Sequence, residues 1–334
     1  MKNAGKKPTA DEIAKTAERG ENAPEDSAKP VIKKLGTVRT YICESTPFVL
    51  NGKLYRYEAI RGGFAKNPDE TYSQILDQET GKKSEPFAED YVFGSAFVED
   101  DTVYVTGTLG NSGKQVQIFS SMDLKNWESW VALDLPDFGM WNTSICKDDH
   151  GYVMMVEIDK PAEQTGVGFT ARFAKSDDLQ NWEMTPPECV HTKERYSADG
   201  SLRYLDGYYY YFYCAAYSRV GAEYASEYDK GYRTDVVRSA DLANWDASPF
   251  NPVLISSPEE ESRIADENLT DEQRGWVVRA AKADICNSDI DFCEYQGRVI
   301  INYCWGNQKG DDHLAEAVFE GTLEEFMKGW YIER

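Results

Sequence analysis

The sequence lacks any concentration of positive charge and any long apolar run. Lys and Arg number 36 against 58 Asp and Glu, which gives a net charge of −22. A chain this acidic repels nucleic acid and anionic membrane surfaces. No segment is long and apolar enough for a membrane span, and the N-terminus has no apolar segment typical of a signal peptide. We therefore expect a cytoplasmic protein whose partners include neither nucleic acid nor a membrane.

Cysteine and histidine are few and scattered. The seven cysteines form no CxxC pair, which favours free thiols buried in a reducing compartment over a metal site. The three histidines, His150, His191 and His313, form no zinc-binding pattern. We expect no cofactor; a structural calcium ion held by Asp289 or Asp291 is the alternative.

What the sequence does contain is a repeat, the phrase Asp-Leu-x-Asn-Trp, which begins at Asp123, Asp178 and Asp241. An internal repeat at this spacing indicates one supersecondary unit stacked several times. Each copy follows an alternating strand that ends in Ser, so the unit is strand, tight turn, strand. We expect the Asp and Asn of each copy to cap the turn and the Leu and Trp to pack between units.

A fainter repeat consists of hairpins with Gly or Asp turns that lead into an aromatic-rich strand. Five copies span residues 44–60, 94–108, 141–158, 199–214 and 289–305. Together the two repeats predict an all-β chain, a five-bladed β-propeller.

The propeller is predicted to cover residues 37–334. Residues 1–36 are rich in Lys, Glu, Ala and Pro, which is typical of an N-terminal extension. A capping box at Thr270 and Gln273 predicts a helix within an insertion at about residues 256–286, between blades four and five.

Propeller geometry predicts which residues meet at one mouth of the central channel. The start of the first strand and the end of the second strand of each blade lie at the same face, whereas the Asp-Leu-x-Asn-Trp turns lie at the opposite face. First strands are expected to bring Glu44, Asn142, Asp199, Asp289 and Asp291 to the mouth. The ends of second strands and the residues just beyond them are expected to add Arg61, Glu157, Trp305 and Asn307. A rim loop is expected to add His191.

Several carboxylates converging on one place require a reason, because they repel unless they are protonated, paired or bound to a cation. Cleavage of a glycosidic bond supplies one, since one carboxylic acid protonates the leaving oxygen while a carboxylate activates water or attacks carbon. We expect Glu44, Glu157, Asp199 and Asp289 to form the pool of acid and base, with no assignment of which is which. The candidates for positioning a carbohydrate are Arg61, Asn142, His191, Asp291, Trp305 and Asn307.

The stretch Ser176-Asp177-Asp178-Leu179-Gln180-Asn181-Trp182-Glu183 resembles the blade signature of five-bladed glycosidase propellers, glycoside hydrolase families 43 and 32 and their relatives. The closing stretch, residues 287–326, resembles a group of bacterial propellers usually labelled glycosidase-like. The resemblance covers residues 37–334 and implies a glycoside hydrolase acting on an oligosaccharide or glycoside. In those families catalytic carboxylates start the first strands, and Asp199 matches this pattern. Blade one has Glu44 instead of the family's Asp, and blades two and three start without an acid.

Two alternatives stay open. A sugar lyase or isomerase on the same scaffold would use His or Tyr as its base, so that His191 or Tyr196 would be central. A non-catalytic carbohydrate-binding propeller would keep Trp305 and the tyrosine contacts without two carboxylates at catalytic spacing. All three hypotheses put a carbohydrate at the channel mouth.

Overall fold

The computed structural model describes residues 29–221 and 230–331. β-Strands dominate both ranges, with twenty strands and four short helices, and the prediction of an all-β chain is confirmed. No helix within these ranges is long and apolar enough to cross a membrane. Most of the predicted N-terminal extension, residues 1–28, lies outside the described residues.

The strands follow one another with short connections. In chain order they are β1 (Lys33–Thr40), β2 (Ser45–Leu50), β3 (Lys53–Ile60), β4 (Tyr72–Asp77), β5 (Tyr91–Val92), β6 (Ala96–Glu99), β7 (Thr102–Leu109), β8 (Gln115–Ser121), β9 (Glu128–Asp134), β10 (Gly139–Lys147), β11 (Tyr152–Lys160), β12 (Thr170–Ser176), β13 (Glu183–Met184), β14 (Ser197–Leu205), β15 (Tyr208–Ser218), β16 (Lys230–Ser239), β17 (Asp246–Ala247), β18 (Cys286–Tyr295), β19 (Arg298–Gly306) and β20 (Asp312–Glu320). The helices are α1 (Ala162–Thr165), α2 (Pro258–Glu261), α3 (Asp271–Ala280) and α4 (Leu323–Lys328).

Neighbours in sequence pair antiparallel in successive groups. Three groups are separate sheets: β2 to β4, β5 to β9, and β10 to β13. The largest sheet contains β14 to β17 and β18 to β20, and one parallel bridge between Tyr232 and Cys286 joins its two halves. Strand β1 pairs with β20, so the first and last strands of the described residues meet in one sheet. Because β1 starts at Lys33, the sheet begins ahead of the boundary predicted at residue 37.

The five hairpins predicted from the sequence are present. They are the antiparallel pairs β2–β3, β6–β7, β10–β11, β14–β15 and β18–β19. Tight Gly- or Asp-containing turns join them, as the alternating sequences on either side predicted. The five hairpins therefore supply five first strands whose starts can converge.

The Asp-Leu-x-Asn-Trp phrases form capped turns between β8 and β9, β12 and β13, and β16 and β17. Asp123 Oδ1 accepts hydrogen bonds from the backbone N–H groups of Lys125 at 2.9 Å and Asn126 at 2.8 Å. The aspartates of the two later copies accept the equivalent pair. The predicted capping role of these aspartates is confirmed, and it accounts for their repetition without any role in chemistry.

Helix α3 begins with the capping box predicted for it. The Thr270 side chain accepts the Gln273 backbone N–H, and the Gln273 side chain accepts the Thr270 backbone N–H. The helix buries Val277 and Ala280 in the same apolar cluster as Trp305. This contact fixes the segment before β18 against the sheet that β18 and β19 form.

Candidate active site

A narrow cavity opens where the first strands of the five hairpins begin. Its empty volume, including open space at its mouth, is about 300 Å³. The residues that line it are Glu44, Ser45, Thr46, Gly94, Ser95, Asn142, Thr143, Asp199, Gly200, Ser201, Asp289, Ile290 and Asp291. The structure therefore brings together all five predicted first-strand residues.

Backbone bulges position two of these residues. The register of β14 on β15 shifts after Ala198, and that of β18 on β19 shifts after Ser288. Asp199 and Asp289, the next residues, adopt left-handed φ angles of 45° and 50°. Bulges bend a strand and re-aim a side chain, and both aspartates lie on the cavity wall. In a regular strand Asp289 and Asp291 would share one face, and the bulge between them breaks that alternation.

The residue after Asp199 must be glycine. A Cβ atom on Gly200 would lie 2.2 Å from the Tyr211 ring and 2.6 Å from the Phe212 carbonyl oxygen. Neither the ring nor the backbone can give way by that much within a packed hairpin. The close approach of Gly200 to β15 therefore helps to hold the bulge that carries Asp199.

Glu157, at the end of β11, lies behind Asp199. Its side chain is only 2% exposed, and its Oε2 atom accepts hydrogen bonds from Asn142 Nδ2 at 2.9 Å and from the Asp199 backbone N–H at 3.0 Å. The same Asn142 nitrogen donates to Asp199 Oδ1 at 2.5 Å. Because Glu157 Oε2 and Asp199 Oδ1 both lie within hydrogen-bond distance of Asn142 Nδ2, the two carboxyl groups are close neighbours. Asn142, predicted to position substrate, lines the cavity and also holds these two carboxyl groups together.

Burial and mutual repulsion raise the pKa values of these carboxyl groups. Burial raises the pKa of Glu157 to about 7, against the opposing effect of its hydrogen bonds from the Asp199 backbone and Asn142. The pKa of Asp199 is raised well above its usual range, first by burial and then by the charges of Glu157 and Glu44. Burial and the charges of Asp199 and Glu44 do the same to the pKa of Asp289. The group therefore retains at least one proton near neutral pH.

Glu44 has a cationic neighbour in Arg61, at the end of the second strand of the same hairpin. Glu44 is 5% exposed, and its Oε2 lies 3.7 Å from Arg61 Nε. This oxygen is buried and accepts no hydrogen bond from any described residue. A buried carboxylate is costly without a counter-charge, so Arg61 stabilises Glu44. The Arg61 charge also lowers the pKa values of Asp199 and Asp289, in opposition to the larger effects that raise them.

Asp291 also lines the cavity. Its carboxylate accepts a hydrogen bond from Thr46 Oγ1 at 2.6 Å and pairs with Arg203. Both partners hold it, so Asp291 is bound within the protein rather than presented as a free carboxylate. Within residues 29–221 and 230–331, no three His, Cys, Asp or Glu side chains are grouped in a way that could hold a metal ion.

Two predicted substrate contacts at the end of β19 lie away from the cavity. Trp305 is fully buried, and its Nε1 donates to Thr37 Oγ1 at 3.0 Å. Asn307 lies beyond the strand, where its Oδ1 accepts the backbone N–H groups of Lys309 at 2.8 Å and Asp311 at 3.2 Å. The first side chain packs towards β1 and the second caps a turn, so neither reaches the mouth.

His191 is also away from the cavity. Its Nδ1 lies 2.6 Å from Ser197 Oγ, and its ring packs against Tyr213 and Trp245 with centroids 4.4 and 5.7 Å apart. Burial lowers the pKa of His191 to about 3, so the ring is neutral. Burial also raises the pKa of Tyr196 well above its usual range. Buried His191, with its lowered pKa, is therefore a poor general base, and the raised pKa of Tyr196 disfavours the phenolate that a lyase or isomerase would use.

The sequence analysis did not single out the aromatic residues beside the lining residues. Phe93 directly precedes Gly94, and Trp141 directly precedes Asn142. Their ring centroids lie 5.0 Å apart. Only two of the five hairpins carry an aromatic residue at this position, so the repeat itself gave no signal for them.

Comparison with known proteins shows a shared fold. No family model and no curated protein matches the sequence. A solved structure described as a glycoside hydrolase covers 93% of this chain and 96% of its own at 15% identity, with a TM-score of 0.58. A structure reported for mannoside phosphorylase family 130, which contains glycoside hydrolases that target β-1,2-mannosidic linkages in Candida mannan, covers 90% and 96% at 12% identity and a TM-score of 0.59.

A third similar structure is an α-L-arabinofuranosidase from Podospora anserina in complex with cellotriose. The match covers 88% of this chain and 98% of the other, at 8% identity and a TM-score of 0.56. At these identities the likeness is one of fold. The chain therefore has a propeller fold that glycoside hydrolases also have, and its chemistry has to be argued from its own cavity.

Proposed function

We propose that this protein is a glycoside hydrolase with five propeller blades, and that it cleaves a glycosidic bond at the cavity lined by Asp199 and Asp289. The observation that carries the proposal is a group of three carboxyl groups with raised pKa values, Glu157, Asp199 and Asp289, at the cavity where all five first strands start. Such a set contains both the acid and the base that glycoside hydrolysis needs.

The blade count rests on the strand pairing. Each of the five hairpins leads into a third strand, and in the fifth group β1 joins β18, β19 and β20. The single parallel bridge within the largest sheet is a contact between two neighbouring blades rather than a continuous ladder. Helix α3 and the short helix α2 then form an insertion between blades four and five, at about residues 256–286.

Asp199 is the proposed general acid. It lies on the cavity wall, whereas Glu157 lies behind it and outside the lining. The adjacent Glu157 charge and burial favour the protonated form of Asp199. A carboxyl group kept protonated near neutral pH can donate its proton to a leaving glycosidic oxygen.

Asp289 is the proposed base or nucleophile. Ser288 Oγ donates a hydrogen bond to Asp289 Oδ2 at 2.5 Å, and the Arg61 charge favours ionisation of the same carboxyl. Both interactions oppose the burial and the charges of Asp199 and Glu44 that raise the pKa of Asp289. Asp199 and Asp289 repel each other when both are ionised, so one ionises before the other. We assign the carboxylate to Asp289 because of its Ser288 hydrogen bond, which gives the pair an acid and a base.

The fold neighbours support this proposal because they are glycoside hydrolases. Their linkages differ, since one targets β-1,2-mannosides and another is an α-L-arabinofuranosidase. We therefore propose the reaction class and a carbohydrate ligand, with the sugar to be found by experiment.

The test is release of reducing sugar from a panel of neutral α- and β-linked glycosides and oligosaccharides. The wild-type protein is expected to release sugar from at least one of them, and Asp199→Asn to lose at least about 100-fold in rate, the lower end of general acid catalysis. Asp206→Asn is the matched control, because Asp206 is also an aspartate with a left-handed φ, 49°, but lies in the turn at the opposite face. Full activity of Asp199→Asn on every hydrolysed glycoside would remove the assignment.

A further inference from the structure

Six aromatic side chains form an arc at the channel mouth, which we call the mouth arc: Phe64, Phe93, Trp141, Phe169, Tyr196 and Tyr232. From Phe93 onward consecutive ring centroids are 5.0, 5.5, 5.7 and 5.7 Å apart. Arg61 extends the arc to Phe64, since its guanidinium lies 4.2 Å from the Phe64 centroid and 5.6 Å from that of Phe93. The arc is continuous over several ring widths.

Chain topology explains why these rings meet. Trp141 lies at the start of β10 and Tyr196 directly precedes β14, and both are first strands of hairpins. Phe169 directly precedes β12, and Tyr232 lies at the start of β16, which are the strands that follow the hairpins. First and third strands of an antiparallel group run in the same direction, so all these starts lie at one face. The mouth arc therefore borders the cavity on the side of Asn142 and Asp199.

The mouth arc lies outside the apolar core clusters, although Phe93 itself is buried. None of its six residues belongs to the five apolar clusters that form the core of the described residues. Phe93 is buried, whereas the other five rings are half-buried at the rim. Contiguous apolar surface with a polar border, outside the core, is typical of a ligand-binding groove.

We propose that the mouth arc binds a chain of several neutral sugars and leads it to the cavity, so that the substrate is an oligosaccharide or polysaccharide rather than a small glycoside. Only the role of the mouth arc in catalysis rests on the proposed hydrolase function, because sugar binding can be measured without turnover. Aromatic rings present flat apolar faces on which the C–H faces of sugars pack, while their edges leave sugar hydroxyls in water.

The charge of the site selects for neutral sugars. Glu44, Asp199 and Asp289 line the cavity beside the arc, and the whole chain carries a net charge of −22. A uronic acid would bring another carboxylate into this field at a cost. The cations Arg61 and Lys230 lie at the arc, and both have partners within it. Arg61 is engaged by Glu44 and by the rings of Phe64 and Phe93. Lys230 Nζ lies 5.4 and 5.2 Å from the ring centroids of Tyr196 and Tyr232.

The test measures binding by calorimetry to full-length Asp199→Asn, which prevents turnover. The probes are manno-, xylo-, arabino- and cello-oligosaccharides of two and six units, with oligogalacturonides as the anionic counterpart. We expect at least one neutral series to bind, with the hexasaccharide tighter than the disaccharide. Trp141→Leu and Tyr232→Ala should each weaken binding of the hexasaccharide by about tenfold, the upper end of single aromatic contacts. Tyr208→Ala, which changes an exposed tyrosine at the opposite face, is the control and should bind normally.

The outcomes separate this inference from the hydrolase proposal. Sugar release by the wild-type protein with equal affinity for two and six units, or with affinities that the arc variants leave unchanged, overturns the mouth arc and leaves the hydrolase in place. Length-dependent binding that the arc variants weaken, without hydrolysis of any bound probe, supports the arc and makes the protein a carbohydrate-binding propeller. Preference for oligogalacturonides, or binding of none of the probes, overturns the inference. Far-ultraviolet circular dichroism of each variant shows whether it is folded.

Discussion

Glu157 Oε2 accepts the backbone N–H of Asp199 at 3.0 Å, and the Asn142 amide nitrogen donates to both side chains. These contacts fix the Asp199 carboxyl at the cavity wall from behind. Glu157 is itself outside the lining. In this account it is a positioning residue, which sets the orientation and pKa of Asp199 without contacting substrate.

Glu157→Gln tests that role through the pH dependence of activity. The glutamine oxygen can still accept both hydrogen bonds, but the negative charge that raises the pKa of Asp199 is gone. Because the general acid works only when protonated, the alkaline limb of kcat/KM should move to lower pH, by roughly one unit. A pH profile that matches the wild type would contradict the coupling. Glu163→Gln, on the exposed helix α1, is the control.

The same substitution should change stability in a pH-dependent way. Burial raises the pKa of Glu157 from 4.5 to about 7 in the folded protein. Below 4.5 the carboxyl is protonated in both states; as pH rises through 7 it must ionise inside the fold, so the wild type loses stability. Glutamine carries no such penalty. The free energy of unfolding, measured with urea, should rise in the variant relative to the wild type by on the order of 1–3 kcal/mol between about pH 5 and pH 8. A difference in unfolding free energy that stays the same at both pH values would contradict a raised pKa for the buried Glu157 carboxyl.

Arg61→Met tests the electrostatic support of the base. The Arg61 charge lowers the pKa of Asp289, and its loss should raise that pKa further. The base must be ionised, so the acidic limb of kcat/KM should shift to higher pH and activity near pH 6 should fall about tenfold. Arg263→Met, which removes a surface arginine paired with Glu260, serves as the control. If the acidic limb of Arg61→Met matched that of the wild type, Arg61 would not lower the pKa of the catalytic base.

Asp241→Ala tests the repeated turn. Hydrogen bonds from the Asn244 backbone and side chain and from the Ala243 backbone lower the pKa of Asp241 below its usual value of 3.8. The stabilisation is therefore present above pH 3.8 and is lost as pH falls below it. At pH 7 we expect Tm to fall by on the order of 1–3 °C, with normal hydrolysis, whereas the exposed Asp137→Ala should leave both unchanged. Loss of hydrolysis in folded Asp241→Ala would mean that the two faces are coupled.

The fold was predictable because its signals are local. Turn chemistry and alternation are written within a few residues, and each Asp-Leu-x-Asn-Trp phrase forms its turn with its own backbone. The repeated hairpins then placed Glu44, Asn142, Asp199 and Asp289 at one end of the sheets, since strand direction alternates. Nothing beyond the order of strands was needed for that step.

The sequence could not predict the direction in which individual side chains point. Arg61, Glu157 and Trp305 all end second strands, yet Trp305 packs towards Thr37 of β1, because that neighbour comes from the far end of the chain. The bulge at Asp289 likewise breaks the regular alternation of side chains between Asp289 and Asp291. Partners distant in sequence and irregular backbone decided these positions.

The most direct test of the account is the dependence of Asp199→Asn on the leaving group. For the sugar identified in the glycoside panel, the rates of hydrolysis of its 2,4-dinitrophenyl glycoside and of an unactivated alkyl glycoside would be compared with those of the wild type and of Asp206→Asn. A dinitrophenolate leaves without a proton, so a variant that lacks only the general acid should stay within about tenfold of wild type on that substrate. It should lose at least about 100-fold on the alkyl glycoside. Equal losses on both substrates, or none on either, would contradict the assignment of Asp199 as the acid.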